Sequence, residues 1–477
     1  MATVSIEQAI AEVKKRNPKF GAYFEDQTTL LEHSRRVFIH EFQPEFLSRQ
    51  KVYKKYLSDY INKLFANDDD QPIVKLAEDG IIASSTPHHN IFNYPLIVGG
   101  HVAIMLDTFQ QREEKGDMII LDTSNVPFNE ILHKRGVEFQ GRHINLFPKK
   151  DKRKVVYAYP KYDLSFIQNL KKSKQYYQLQ DKEKDFFIRV DEIVKKIDFS
   201  TCDGFADQVV KINYKLWPLM YSEDISQSAR RTLNLPHDVV LSEYLVNEFL
   251  PKSNSQVNFV YRSLFDNNFR QAVLTKFNGL YGCWDRQNNK GTHFFWYLHN
   301  GEHRSMWLDG DELVAYDRNN EVARIPLQPE ALAQAIKERK IIAGIFVKFS
   351  LVAFWLGVKL LGGPGQTSFS NDIKTTWLEI LSSQDKKLVN STSTHGLSIA
   401  ECLYYRANGK LTKAYGMDAC FLQILTKEYI NNLKKNTVSQ VMLPGLALNY
   451  YRLVPVDLRQ PMGFSDQDLI QGFDWIE

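Results

Sequence analysis

The sequence predicts an α/β protein: a Rossmann-like parallel sheet core, a helical connector and a small β-hairpin or meander attachment. Three observations carry this prediction. The short apolar runs "GIIASS" (Gly80 to Ser85) and "DMIILDTSNVP" end in small or polar residues, and a helical segment opens at Pro95 between them. Strand–loop–helix–strand is a βαβ unit, and such units build parallel sheets. Residues 278–327 instead alternate apolar and polar residues around His299-Asn300-Gly301 and Asp309-Gly310, as antiparallel hairpins do. Last, an apolar run from Ile341 to Leu361 feeds the glycine loop Gly362-Gly363-Pro364-Gly365-Gln366, and a helix-competent segment follows from Ser370 to Leu381.

Taken in order, residues 1–75 read as helices with charged faces. Apolar residues fall at helical spacing from Ser34 to Phe65, and a turn closes them at Asn67 to Pro72. Residues 76–162 form the first part of the α/β core, with proline in its favoured place at the start of the helix from Pro95. The basic cluster Lys149 to Lys154 reads as a solvated turn. Residues 163–277 are a strongly charged helical connector, with a helix through Ser242 to Leu250 and a loop over Pro251 to Gln256. Residues 278–330 are the meander, whose aromatic run Phe294-Phe295-Trp296-Tyr297 reads as packing. The helical "PLQPEALAQAIKERK" (326–340) leads out of the meander, and residues 331–477 return to the core.

The run Ile341 to Leu361 imitates a membrane span, but Lys348 and Lys359 interrupt it. Its uncharged stretch, Phe349 to Val358, is far shorter than the ~20 residues a spanning helix needs. A buried helix is expected, and both lysines then need water or partners. With no apolar signal core in "MATVSIEQAIAEVKKRN", the expected location is cytoplasmic, with no membrane partner.

Composition narrows the chemistry. A net charge of +4 over 477 residues offers no electrostatic argument for nucleic acid. Cys202, Cys283, Cys402 and Cys420 form no CxxC pair and no zinc-spaced set with histidine, so free thiols and no metal are expected. Neither strand end carries GxGxxG or a Walker lysine motif, which disfavours a standard dinucleotide or P-loop site.

In open α/β sheets, ligands bind beyond the carboxyl ends of the strands. The first candidate loop there is His88-His89-Asn90, where an imidazole could serve as acid or base. The second is Asp122-Thr123-Ser124-Asn125, able to bind a hydroxylated or amine substrate or simply to fix a turn. The third is the glycine loop with Thr367 and Ser368 as helix caps and Lys374 a turn further on, suited to an anionic group. A plain Gly-Pro-Gly turn and a surface lysine remain open at this point.

The Gly363-Pro364-Gly365-Gln366 loop, Phe369 and Lys374 align with a Gly-Pro-Gly-Glu loop, an aromatic residue and a lysine in the bacillithiol-synthesis cysteine-adding enzymes. The strand Gly80 to Ser85, the loop Thr86 to Asn90 and Pro95-Leu96 follow that family's order as well. The chain resembles the family over residues 75–385 as an order of elements, and over a much shorter stretch as motif. The resemblance implies a cytosolic condensing enzyme, an amide-forming ligase or transferase acting on a small amine or amino-sugar-like substrate. His88, His89 and Asp122, where this chain departs from the family, are the candidate catalytic residues on their own chemistry. Gly362, Gly363, Gly365, Gln366, Thr367, Ser368 and Lys374 would bind the cofactor, and Asn90, Thr123, Ser124 and Asn125 the substrate. Amide formation is uphill in water, so a nucleotide such as ATP or ADP, or another activated donor, is expected. This chain departs from the family at Gln366, which replaces the loop glutamate, and at both strand-end loops. Two other readings stand beside it: a non-catalytic ligand- or partner-binding protein, and a His-dependent hydrolase or transferase.

Overall fold

The structure is a computed structural model. It describes residues 3–73, 76, 78–92, 94–107, 118–129, 135–163, 166–172, 174–225, 231–251, 258–394 and 396–476. Nine strands build the two main sheets. In chain order they are β1 (Ile82–Ser84), β2 (Met118–Asp122), β3 (Thr232–Pro236), β4 (Phe295–His299), β5 (Glu302–Asp309), β6 (Glu312–Asp317), β7 (Asn320–Pro326), β8 (Ile341–Ala343) and β9 (Lys359–Leu361). Six helices matter to the site: α1 (Pro44–Leu64), α2 (Pro95–Ile104), α3 (Phe205–Leu216), α4 (His237–Tyr244), α5 (Ile345–Phe349) and α6 (Pro364–Ile380).

The first sheet is parallel throughout, in the order β9-β1-β2-β3. Its register pairs Ser84 with Leu361 and Asp122 with Pro236, so all four strands end on one edge. The chain lays down β1, β2 and β3 in one direction, then returns to place β9 on the other side of β1. This reversal makes a topological switch point between the carboxyl ends of β1 and β9, the place where open parallel sheets generally bind their ligands. The second sheet is an antiparallel meander in the order β7-β6-β5-β4-β8. The mixed α/β architecture and the parallel sheet agree with the sequence reading.

The apolar run 341–361 is not the single buried helix its composition suggests. It divides into β8, α5 with a π-helical continuation over Ser350–Trp355, and β9. Unbroken apolarity does not separate a buried helix from buried strands. The last turn is set by Gly357 at φ +69, where a Cβ would lie 2.2 Å from the Phe46 ring. Both lysines of the run find partners. Lys348 donates to Asp238 Oδ1 (3.0 Å) and Thr123 Oγ1 (3.1 Å), and Lys359 to the carbonyls of Val37 (2.7 Å) and Ile39 (3.0 Å). No helix among the described residues is long and apolar enough to cross a membrane.

Two further corrections concern helix ends and a strand. Thr367 and Ser368 are not caps: α6 starts earlier, at Pro364, with Gly363 as N-cap and no side-chain cap bond. The segment Thr232–Pro236, within the stretch expected to be a helical connector, is the third strand of the core sheet.

Helix α2 is buried along its whole length and packs unusually close to the backbone of residues 398–402. A Cβ on Gly99 would sit 2.3 Å from the Ala400 carbonyl oxygen, and one on Gly100 would sit 2.1 Å from that of Ser398. The two glycines thus bring Ser398 up to the end of β1.

All four cysteines are free and buried, and burial pushes the Cys202 thiol up to about 12. Thiols held protonated and away from solvent react slowly. A thiol-reactive chromogenic disulfide is therefore expected to label no cysteine in the native protein and four after denaturation. Rapid labelling of any cysteine in the native state would contradict this packing.

Candidate functional site

Three strand-end loops meet along the carboxyl edge of the parallel sheet. The first two are joined by backbone hydrogen bonds. The His89 amide donates to the Thr123 carbonyl (2.8 Å), and the Thr123 amide to the Pro87 carbonyl (2.8 Å). The glycine loop joins the first loop from its other side. Ser85 Oγ donates to Gln366 Oε1 (2.9 Å), and a Cβ on Gly363 would lie 3.3 Å from the Thr86 methyl. The order along the edge is glycine loop, β1 loop, β2 loop.

At the switch point a chain of hydroxyls connects β1 to the glycine loop. Ser84 Oγ donates to Ser398 Oγ (2.9 Å), Thr86 and Ser398 share a bond of 2.5 Å, and His101 Nε2 reaches Ser84 Oγ (3.1 Å). Ser398 arrives because residues 396–398 extend the sheet past β9: the Gly362 amide donates to the Gly396 carbonyl, and the Ser398 amide to the Gly362 carbonyl. Burial lowers His101 to about 3, so it is neutral at physiological pH and too weak a base to activate Ser84. Gln366 folds back over Gly362, where a Cβ would sit 2.4 Å from its amide carbon. The first turn of α6 offers the Gly365 and Gln366 amides without a side-chain cap, and Tyr281 lies over Gly365. Thr367 turns its hydroxyl onto the Pro364 carbonyl (3.0 Å), and Ser368 follows on the same helix. Lys374 is directed elsewhere, donating to the carbonyls of Asn390 (2.8 Å) and Thr392 (2.7 Å). It closes the end of a neighbouring helix rather than meeting an anion at the loop.

His89 and Asp122 come together as anticipated, but inside the core. Both are fully buried, with Nδ1 3.1 Å from Asp122 Oδ2 and Nε2 2.8 Å from the Ala206 carbonyl. A carbonyl only accepts, so Nε2 carries a proton. The Nδ1–carboxyl contact then closes only with a second proton on it. Burial raises Asp122 above the usual carboxylate range, and Asn234 donates to both its oxygens (3.2 Å each). This closed triad ties β2 to β3 and to α3. It presents no side chain to a cleft, which corrects the expectation of His89 and Asp122 as catalytic groups at an open site. His88 is partly exposed beside them. Asn90 is buried, with its side-chain oxygen on the Ile91 amide (2.8 Å) and its carbonyl accepting from Asn213 (2.9 Å).

The loop after β2 is organised by Asp238, the second residue of α4. Its Oδ2 accepts from the Ser124 amide (2.7 Å), the Ser124 hydroxyl (3.2 Å) and the Asn125 amide (3.0 Å), while Oδ1 takes Lys348. Burial pushes this carboxyl up, but Lys348, His237 and the donated bonds outweigh it and leave it below the ordinary value. Asn125 donates to the Ala343 carbonyl (3.2 Å) and accepts from His303 Nε2, which links this edge to the meander. Thr123, Ser124 and Asn125 are thus drawn into one network. Asp238, Asn234, His303 and Ser398 have no local signal as site residues: each arrives through a sheet or helix contact from far along the chain.

A cavity of ≈ 720 Å³ lies beside β9 and the N-terminal helices. Lys19, His33, Arg36 and Lys359 line it together with Glu25 and Asp26. Of the segment Gly362 to Ser368, only Thr367 reaches it, so the cavity adjoins the glycine loop and is not centred on it. No cluster of metal-ligating side chains occurs among the described residues. Compared with protein-family models and with curated proteins, the chain matches none.

Proposed function

We propose that the chain is a condensing enzyme of small polar metabolites: an amide-forming ligase or transferase that takes an amine or amino-sugar-like substrate and an activated donor such as ATP. One observation carries this reading. The switch point of the sheet falls between β1 and β9, where the glycine loop, the uncapped start of α6 and the Ser84–Ser398–Thr86 hydroxyls converge. A phosphate or carboxylate placed there would meet the Gly365 and Gln366 amides and the positive end of the helix dipole. The adjoining cavity mixes cationic Lys19 and Arg36 with acidic Glu25 and Asp26, which suits a ligand bearing both an amine and an anion. On this reading the protein contributes positioning and electrostatics, and a nucleotide supplies the activation that amide formation requires.

A second reading, a ligand-binding protein without turnover, is favoured by Gln366. Its amide donates and accepts hydrogen bonds but cannot take a proton as a base. Thermal unfolding with ATP, with ADP and with glucosamine separates these readings. A ligand at ~100 times its dissociation constant adds roughly 2.7 kcal/mol of stability. Stabilisation by ATP together with amine-dependent release of phosphate or diphosphate supports the enzyme. Stabilisation without release supports the binding protein, and no stabilisation by any of the three overturns both.

A further inference from the structure

The hydroxyl chain at the switch point has a direction, and the direction follows from where its protons can go. An imidazole and three hydroxyls make it up, in the order His101, Ser84, Ser398, Thr86. His101, Ser84 and Ser398 are 1 %, 0 % and 0 % exposed, so their protons must be received inside the protein. Each group has one proton to place, and each placement fixes the next.

The first placement is at His101. Its Nδ1 has no hydrogen-bond partner among the described residues, while Nε2 faces Ser84 Oγ at 3.1 Å. A proton on Nδ1 would be a buried N–H with nothing to receive it, which folded proteins rarely keep. The ring beside it is that of Trp217, 6.0 Å away between centroids, whose Nε1 is likewise unpaired and can only donate. The proton therefore belongs on Nε2, donated to Ser84. Ser84 then sends its own proton to Ser398 (2.9 Å). Among the described residues Ser398 has one acceptor left within reach, Thr86 Oγ1 at 2.5 Å.

Thr86 comes last and is only partly buried. Its proton meets the Leu361 carbonyl at 3.5 Å, beyond the length of a good hydrogen bond. That carbonyl already accepts from the Ser85 amide at 2.9 Å. The hydroxyl chain thus ends in an O–H that the protein barely uses. The bonds behind it make it a better donor, because hydrogen bonds in series polarise one another. It stands on the carboxyl edge of the sheet against the start of α6, with the Thr86 methyl 3.3 Å from the position of a Gly363 Cβ.

We propose that Thr86 holds the anionic group of the ligand at the switch point, its hydroxyl donating to an oxyanion, with Ser398, Ser84 and His101 as positioning residues that keep that proton available. The inference rests on the proposed condensing function and adds an orientation to it. A proton directed at the ligand favours an oxyanion and disfavours an ammonium, so the anionic end of the ligand, not its amine, is the end at the switch point.

Two measurements test this. The first needs no ligand. Two-bond nitrogen–proton correlation NMR spectra of protein labelled at its histidine nitrogens report the tautomer of His101, whose signals are those lost in His101→Gln. The Nε2–H tautomer is expected, and the Nδ1–H tautomer overturns the proposal. The second is calorimetric titration of ATP, inorganic phosphate and acetate into wild type, Thr86→Val and Thr86→Ser. Valine keeps the shape of threonine without the hydroxyl, and serine keeps the hydroxyl. At least one of the three anions should bind the wild type saturably, and which one does so separates a phosphate from a carboxylate. Thr86→Val should weaken that anion by about tenfold or more, the worth of one hydrogen bond to a charged group. Thr86→Ser should restore most of the affinity, and circular dichroism of both unliganded variants checks their fold. Failure of the wild type to bind any of the three overturns this proposal together with the condensing function. Binding that Thr86→Val leaves unaltered, or that Thr86→Ser does not restore, overturns this proposal alone.

Discussion

Asp238→Ala is expected to cost about 3–5 kcal/mol of stability, because it leaves the Lys348 ammonium buried without its counter-charge. The same substitution strips the acceptor from the Ser124 and Asn125 amides, so the loop after β2 loses its anchor at the same time. Denaturant unfolding followed by circular dichroism would measure the loss, and a change under about 1 kcal/mol would contradict the arrangement. The double variant Asp238→Asn, Lys348→Met should recover part of the cost, since it removes the orphaned charge while keeping an acceptor for the amides. The pH dependence follows in sign. The folded-state value of Asp238 lies below its ordinary one, so its contribution is fully present above the unfolded value of ~3.9 and is lost as pH falls through the folded value. Wild-type stability should therefore decline below about pH 4 more steeply than that of the double variant.

Gly100→Val is also expected to be strongly destabilising. In an exposed helix, replacing glycine with a residue of higher helix propensity gains up to ~1 kcal/mol. Here the new Cβ would lie 2.1 Å from the Ser398 carbonyl oxygen and 2.6 Å from the Ile399 Cα, so backbone must move. The loss should reach or exceed the ~1–3 kcal/mol typical of overpacking. It should also draw Ser398 away from Ser84 and Thr86 and weaken any ligand held at the switch point. A Gly100→Val protein with wild-type thermal unfolding would show that α2 does not pack on residues 398–402 as described.

Local pattern carried much of the core. The apolar runs ending in polar residues located β1 and β2, Pro95 located the start of α2, and alternation around glycine turns located the meander. Pattern failed where tertiary burial replaced amphipathicity. Every residue of Thr232–Pro236 is buried, so that strand has no alternating exposure to distinguish it from its helical surroundings. In the run 341–361 both the helical and the strand segments are apolar, and only Gly344 and Gly357 divide them. The site was legible as three strand-end loops, because parallel strands carry their following loops to one edge. What the loops do with their polar groups was not legible. The closure of His89 on Asp122 and Ala206 depends on α3, the charge opposite Lys348 on α4, and Ser398 on a segment beyond α6. Such long-range partners leave no trace in the spacing of residues along the chain.

The claim that the switch point holds an anionic ligand is tested most directly by calorimetric titration of ATP into wild-type and Gly363→Val protein. Gly363 has φ −103, a backbone conformation valine accepts, and its Cβ position faces the Thr86 methyl at 3.3 Å and Ile399 at 3.5 Å. The branched side chain would therefore press into the contact between the β1 loop and the start of α6, where the Thr86 methyl must give by a few tenths of an ångström. The expected result is saturable ATP binding by the wild type, and at least tenfold weaker binding by a variant whose unliganded thermal unfolding stays close to that of the wild type. A folded Gly363→Val protein that binds ATP with unaltered affinity, or a wild type that does not bind it, would contradict the account.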